Sequence, residues 1–321
     1  MKPLILSVIA MSVCSIALAA DLPTFSAKRL SAEVKALSSD TFEGRGPATP
    51  AETKTIDYMV TQMKAAGLQP GGDLMDGKRT WTQAVPLRRS QIVGTPVLTL
   101  HLDGGVEALT QGEQIAVRAP MDGSTSVAIA NAPLVFVGYG VKAPERQWDD
   151  FKGVDLHGKI AVVLINDPDF ETGMGDFGGK AMTYYGRWTY KYEEAARQGA
   201  AAAIIVHETY PAAYGWQVVR NSNSGAKSWL AAKDKDMSMV PIQGWITLDT
   251  AQSLFKNAGL NYETEKAAAN KPGFKAVPMT GETLTVDAHS TIKHLMTRNV
   301  AGIIKGSTNP DDVLIYSAHW D

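Results

Sequence analysis

The sequence predicts an α/β protein, and three observations carry that prediction. Residues 134–137 and 160–165 are continuous β-branched and apolar runs, as strands buried on both faces require. Residues 192–198 read as a helix that passes through Gly199 into a further apolar run at 200–206, a βαβ-type unit. Gly (29) and Pro (16) are plentiful in a chain of 321 residues, which favours turns and short strands over a helical bundle.

At about 100–200 residues per domain, the length allows two domains or one large one. Apolar residues make up 45% and charged residues 20%, which excludes a mainly disordered chain or a small disulfide scaffold. Net charge is −2, from 31 basic and 33 acidic residues, so no nucleic-acid or anionic-membrane partner is expected. Residues 1–20 combine Lys2, an apolar run at 4–18 and Ala17-Leu18-Ala19, the three regions of a secretory signal peptide. The run is shorter than the ~20 residues of a membrane span, and Asp21 and Pro23 follow at once. The expected location is periplasmic or secreted, with no stable membrane insertion after cleavage. Val13 before Cys14 argues against a lipoprotein signal. Cys14 is the single cysteine and would leave with the signal, so any metal must be held by His and carboxylates.

Along the chain, residues 26–37 read as a helix with Leu30, Val34 and Leu37 on one face. Thr49-Pro50-Ala51-Glu52 is a capping box with Pro at the first helical position. Ile56, Met59, Val60 and Met63 form its apolar stripe, and Gly67 closes the helix. The turn between the two helices, at 42–47, holds a buried-looking Phe42. Residues 81–87 and 97–102 are expected as strands, followed by short strands and Gly-rich loops from 112 to 247. Residues 249–257 form a helix stopped by Gly259, and 263–275 is expected as a polar connector. Strands resume at 283–288 and 299–304, and 313–318 reads as a central buried strand.

Gly138-Tyr139-Gly140 follows a strand like a dinucleotide-binding turn, but Pro144 follows and no helix opens there to meet a pyrophosphate. His207-Glu208 has no second His four residues on and reads as a strand-end surface pair. His101, His157, His289 and His294 stand alone as surface histidines. His319-Trp320-Asp321 differs. A His and an Asp spaced i, i+2 at a strand's end project from one face, and ligands bind at that edge of open α/β sheets. Imidazole and carboxylate suit Zn²⁺, although the same pair also occurs as a strand-end turn.

Further stretches share an order. Residues 37–46 (Leu37-Ser38-Ser39-Asp40-Thr41-Phe42-Glu43-Gly44-Arg45-Gly46) precede a capped helix that ends Ala66-Gly67-Leu68-Gln69-Pro70. Val135-Phe136-Val137-Gly138-Tyr139-Gly140, then Trp148-Asp149-Asp150-Phe151, Gly158-Lys159-Ile160 and Glu194-Ala195-Ala196-Arg197-Gln198-Gly199-Ala200 follow. Arg298-Asn299-Val300-Ala301-Gly302 leads into Ser317-Ala318-His319-Trp320-Asp321. Taken together, this order resembles the M28 family of zinc metallopeptidases, in particular its exported aminopeptidases with an inserted protease-associated (PA) domain.

The resemblance implies a partial aminopeptidase-like α/β/α domain with a mixed central sheet, carried by residues 21–111 and 261–321. It implies a PA domain rich in β structure inserted at 112–260. It also implies that His319 ligates one zinc and Asp321 bridges two, with the general-base Glu and the other ligands beyond residue 321. Two Zn²⁺ ions, peptide substrates and removal of N-terminal residues follow from it. The expectation is therefore the N-terminal portion of an exported di-zinc aminopeptidase, inactive as this fragment. The alternative is a non-catalytic exported PA-domain binding module with a vestigial peptidase domain. A third reading is a carboxypeptidase-like or cyclase-like relative of the same fold.

Overall fold

The computed structural model describes residues 24–231 and 239–321. The signal-peptide reading and Cys14 lie outside them. The chain divides into two compact units, one of Met1–Gly67 with Lys305–Asp321 and one of Leu68–Ile304.

The larger unit is a mixed α/β structure around a nine-stranded sheet. Its strands are β1 (Thr82–Leu102), β2 (Gly105–Ala108), β3 (Ile115–Val117), β4 (Ser126–Phe136), β5 (Ile160–Leu164), β6 (Ala202–His207), β7 (Lys227–Leu230), β8 (Ile242–Thr247) and β9 (Val277–Val300). The spatial order is β7-β1-β9-β4-β5-β6-β8-β3, with β2 beside β1. β4, β5, β6 and β8 run parallel, as the helix–Gly–strand pattern predicted, and the outer pairs are antiparallel.

Side chains of the parallel strands alternate between two buried clusters. Ile160, Val162 and Leu164 enter one, and Ala161 and Val163 the other, so both faces of β5 are apolar. Helix α3 (Trp188–Arg197) covers the second face with Tyr192 and Ala195. After the short helices α4 (Thr209–Ala212) and α5 (Trp216–Ser224), helix α6 (Leu248–Asn257) covers the first with Ala251, Leu254 and Phe255, and Phe136 meets Phe255 edge-on at 4.9 Å. Each fully buried aromatic or aliphatic side chain there contributes about 1.5–3 kcal/mol.

Three expectations need correction in this unit. The paired short strands at 81–87 and 97–102 are one strand of 21 residues, and those at 283–288 and 299–304 belong largely to one of 24. Gly94, at φ +69°, lies opposite a register shift between Asp287 and His289, so a local irregularity absorbs what reads as a strand break. The expected connector at 263–275 contains helix α7 (Tyr262–Ala269). Asn261 caps it through the Thr264 N–H at 2.9 Å, and Tyr262 and Ala269 enter the core.

The smaller unit holds α1 (Ala27–Leu37), capped by Ser26, and α2 (Pro50–Ala65), with Pro50 in its first turn. The apolar stripe expected on α1 is not buried: Leu30 and Val34 are exposed. The α2 cap is also not the reciprocal box. Thr49 Oγ1 donates back to the Gly46 carbonyl at 2.6 Å, and Glu52 accepts from the Ala48 N–H at 2.6 Å. Residues 313–318 are not a strand. Val313, Leu314, Ile315 and Tyr316 are at least 78% exposed, and no strand among the described residues pairs with them. An apolar run becomes a buried strand only where neighbours take its backbone groups. Among the described residues no helix is long and apolar enough to cross a membrane.

Candidate functional site

The turn Asp40–Arg45 is held by Phe42, which is buried edge-on against Tyr58 at 5.6 Å. The backbone then passes through left-handed φ at Glu43 (+47°), Gly44 (+76°) and Arg45 (+57°). Side-chain-bearing residues keep that conformation only when other contacts fix them. Lys54 Nζ donates to the Thr41 carbonyl at 3.3 Å and to Glu43 Oε1 at 2.5 Å. Arg45 donates through Nη1 to the Leu37 carbonyl and through Nε to the Trp320 carbonyl at 2.8 Å. The last bond joins stretches 275 residues apart in sequence.

Trp320 lies between the two residues singled out for metal binding. His319 Nδ1 and Asp321 Oδ1 are 2.8 Å apart, and the imidazole is exposed. When Nδ1 carries the shared proton, the His319 lone pair lies on Nε2, the form of imidazole that a metal takes. Both donors suit zinc, but a zinc site takes at least three protein ligands. Among the described residues no group of three or more His, Cys, Asp or Glu could hold a metal ion. The pair is a partial donor set, and no zinc-dependent step follows from these residues alone. Of the other histidines, His101 meets Thr285 Oγ1 at 3.2 Å and His157 meets Asp155 at 2.7 Å. His289 lies 3.8 Å from Asp287, and His294 is exposed.

No family model and no curated protein matches the chain. Among solved structures it is similar to an aminopeptidase from Aneurinibacillus sp. strain AM-1, at 20% identity and TM-score 0.39, over 90% of this chain and 50% of that one. It is also similar to BSAP, a zinc aminopeptidase from Bacillus subtilis, at 17% identity and TM-score 0.32, over 87% of this chain and 48% of that one. The chain spans about half the length of each.

The larger unit brings together charged residues that sequence reading did not single out as a group. Lys191 on α3 is fully buried, and its Nζ donates to the Tyr139 carbonyl at 2.6 Å and the Asn166 carbonyl at 2.9 Å. Burial lowers its pKa to about 8, against the raising influence of Asp167 and Asp150. Asp150 accepts from the Val141 N–H at 2.9 Å and Trp148 Nε1 at 2.7 Å, and burial pushes it up to about 7. Asp167 accepts from the Thr183 N–H and hydroxyl at 2.7 and 2.8 Å, and Asp169 from the Phe177 N–H at 2.8 Å. Asp167 and Asp169 shape the long loop after β5, and Asp150 the turn before it. The one available signal was Trp148-Asp149-Asp150, whose acids follow an indole able to donate.

The same cluster explains the Gly138-Tyr139-Gly140 turn without a nucleotide. Gly138 has φ +57°, and a Cβ there would lie 2.8 Å from Phe274 Cε1 and 3.1 Å from Ala269 Cβ. The turn needs glycine for core packing and for presenting the Tyr139 carbonyl to Lys191. Gly138→Ala is expected to cost about 2 kcal/mol, from left-handed strain plus overpacking, read as a lower urea midpoint.

His207 corrects another expectation, because it is 4% exposed rather than at the surface. Its Nε2 meets the Tyr214 carbonyl at 2.9 Å, its ring packs among Tyr214, Trp216 and Trp245, and burial lowers its pKa. Glu208 accepts from Lys266 Nζ at 2.7 Å, and Lys266 also lies 2.8 Å from Glu171.

Proposed function

We propose that this chain is the N-terminal portion of an exported zinc aminopeptidase. In this reading His319 and Asp321 are two of the metal ligands, residues 112–260 are an inserted PA domain, and residues 1–20 direct export to the periplasm or beyond. The observation that carries it is the Arg45–Trp320 hydrogen bond at 2.8 Å. It ties the turn at 37–46 to the His-x-Asp motif, and both stretches carry the resemblance to the M28 family.

His319 and Asp321 would supply two ligands to a zinc ion, which would polarise a peptide carbonyl and lower the pKa of a bound water. The chain's own residues do the positioning. Arg45 holds the backbone between His319 and Asp321, and the Asp321 carboxylate orients the imidazole. The substrates are peptides, and the bond cleaved follows the N-terminal residue.

Protein expressed from the complete gene is expected to hydrolyse leucine p-nitroanilide in a Zn²⁺-dependent manner. His319→Ala should lower kcat/KM by about a thousandfold, some 4 kcal/mol of transition-state stabilisation. The 321-residue chain alone is expected to be inactive with added Zn²⁺, and turnover by it would sink the view that its donor set is partial. A complete protein that binds peptides without cleaving them would instead support an exported binding module.

A further inference from the structure

Arg118 follows β3, where its N–H bonds the Gln243 carbonyl at 3.1 Å. Its side chain is 5% exposed, yet no carboxylate among the described residues pairs with it. Nε donates to Asn223 Oδ1 at 2.8 Å. The guanidinium lies 4.6 Å from the Trp188 ring centroid, 5.2 Å from Trp229 and 5.8 Å from Tyr192. Nη1 is buried with no hydrogen-bond partner among the described residues. Lys227 is a second cation close enough to be affected by Arg118, and Arg187 similarly influences Tyr214.

A buried charge lacking a counter-ion is costly, and stacking on rings offsets only part of that cost. Beside Arg118 lies a cavity of about 190 Å³ whose other walls include Trp188, Tyr214, Val218, Ser222 and Trp245. It is smaller than the roughly 300–1,000 Å³ typical of pockets for drug-sized ligands, so it suits a group of about one residue. Its polar side is the Arg118 guanidinium with Ser222 and Asn223, and its remaining wall is apolar, of Trp188, Tyr214, Trp245 and two valines.

We infer that this cavity binds a carboxylate carried on an apolar or aromatic body of about one residue, with the Arg118 guanidinium taking the carboxylate and the Trp188–Tyr214–Trp245 wall taking the body. The guanidinium's N–H groups match a planar carboxylate, and a monoanion supplies the counter-charge that no described carboxylate gives Arg118. Free carboxylic acids and the C-terminus of a peptide share this chemistry. The inference does not rest on the peptidase reading.

The test titrates the full chain with N-acetyl-L-phenylalanine, its amide and inorganic phosphate, followed by tryptophan fluorescence and calorimetry. The acid is expected to bind saturably, and at least about tenfold more tightly than the amide or phosphate. A peptide ending in phenylalanine, compared with its C-terminal amide, tells the two sources apart: tighter binding than the free acid assigns the site to chain ends, and weaker binding to free acids. Arg118→Met should abolish the preference for the acid while the chain stays folded, because an apolar side chain replaces an unpaired buried charge. Should that variant not fold, Arg118→Lys, which keeps the charge and loses the planar fork, and Ser222→Trp, which fills the cavity, are each expected to weaken binding at least about tenfold. Equal affinity for acid and amide, preference for phosphate, no binding up to about 10 mM, or unchanged affinity in the folded variants would each overturn the inference.

Discussion

Lys191→Met is expected to destabilise the larger unit by about 3–5 kcal/mol, the range for removing one partner from a buried charge cluster. The side chain is 1% exposed, and methionine replaces most of its volume, so lost packing contributes little. The loss comes from three groups left behind. The carbonyls of Tyr139 and Asn166 give up their donor, and both are held on loops that follow strands. Asp150 loses the cation that helps keep it ionised inside the protein, and its pKa moves further above about 7. Thermal unfolding should fall by about 10 °C, judged from the entropy of unfolding for a unit of this size. The variant's stability should also fall more steeply than wild type as pH rises from 5 to 8, because Asp150 must then ionise unaided. A change within about 1 kcal/mol would show that the cluster's charges are already screened.

Glu282→Gln should act in the opposite direction. Glu282 is 2% exposed on β9, and neither carboxyl oxygen has a hydrogen-bond partner among the described residues. Burial, and then the negative charge of Asp103, pushes its pKa up to about 7 from the ordinary 4.5. The folded state therefore holds this proton more tightly than the unfolded state. The penalty is absent below pH 4.5, grows as pH rises, and is complete above about pH 7. At about 1.4 kcal/mol per pKa unit, it reaches about 3 kcal/mol. Glutamine fills the same space without the charge, so the variant should be more stable than wild type at pH 8 and similar to it at pH 4.5. Equal urea midpoints for the two proteins at pH 8 would show that Glu282 ionises there without cost.

Buried parallel strands were legible because β5 and β6 write their environment directly as unbroken Ile, Val, Leu and Ala. The helix at 50–65 was legible from Pro50 and its flanking residues, although Glu52 takes the N–H one residue before the one the box pattern gives and Thr49 turns back to Gly46. Helix α7 was missed because Tyr262 is its single large apolar residue and a Pro-Gly break follows, while its cap, Asn261, is a common loop residue. Residues 313–318 were misread because local apolarity marks the capacity to pair, and pairing depends on partners elsewhere. Within the candidate site, the His-x-Asp spacing was legible and the role of Arg45 was not. Its bond to Trp320 spans 275 positions and depends on three successive left-handed residues. The charges around Lys191 and the cavity at Arg118 form only when α3 docks on the sheet, so no short window of sequence contains them.

The long pairing of β1 with β9 also sets an order of events during synthesis. β1 leaves the ribosome as 21 residues with Val93 and Val97 exposed even in the finished fold, and the strand that covers its long edge begins only at Val277. At about 5–20 residues per second, that wait lasts on the order of ten seconds or more. Until then the β9-facing edge of β1 is unpaired, open to association with other nascent chains. The sheet can close only after the carboxyl-terminal side of the unit has been made, so yield in expression should depend on translation rate and chaperone supply across residues 102–300.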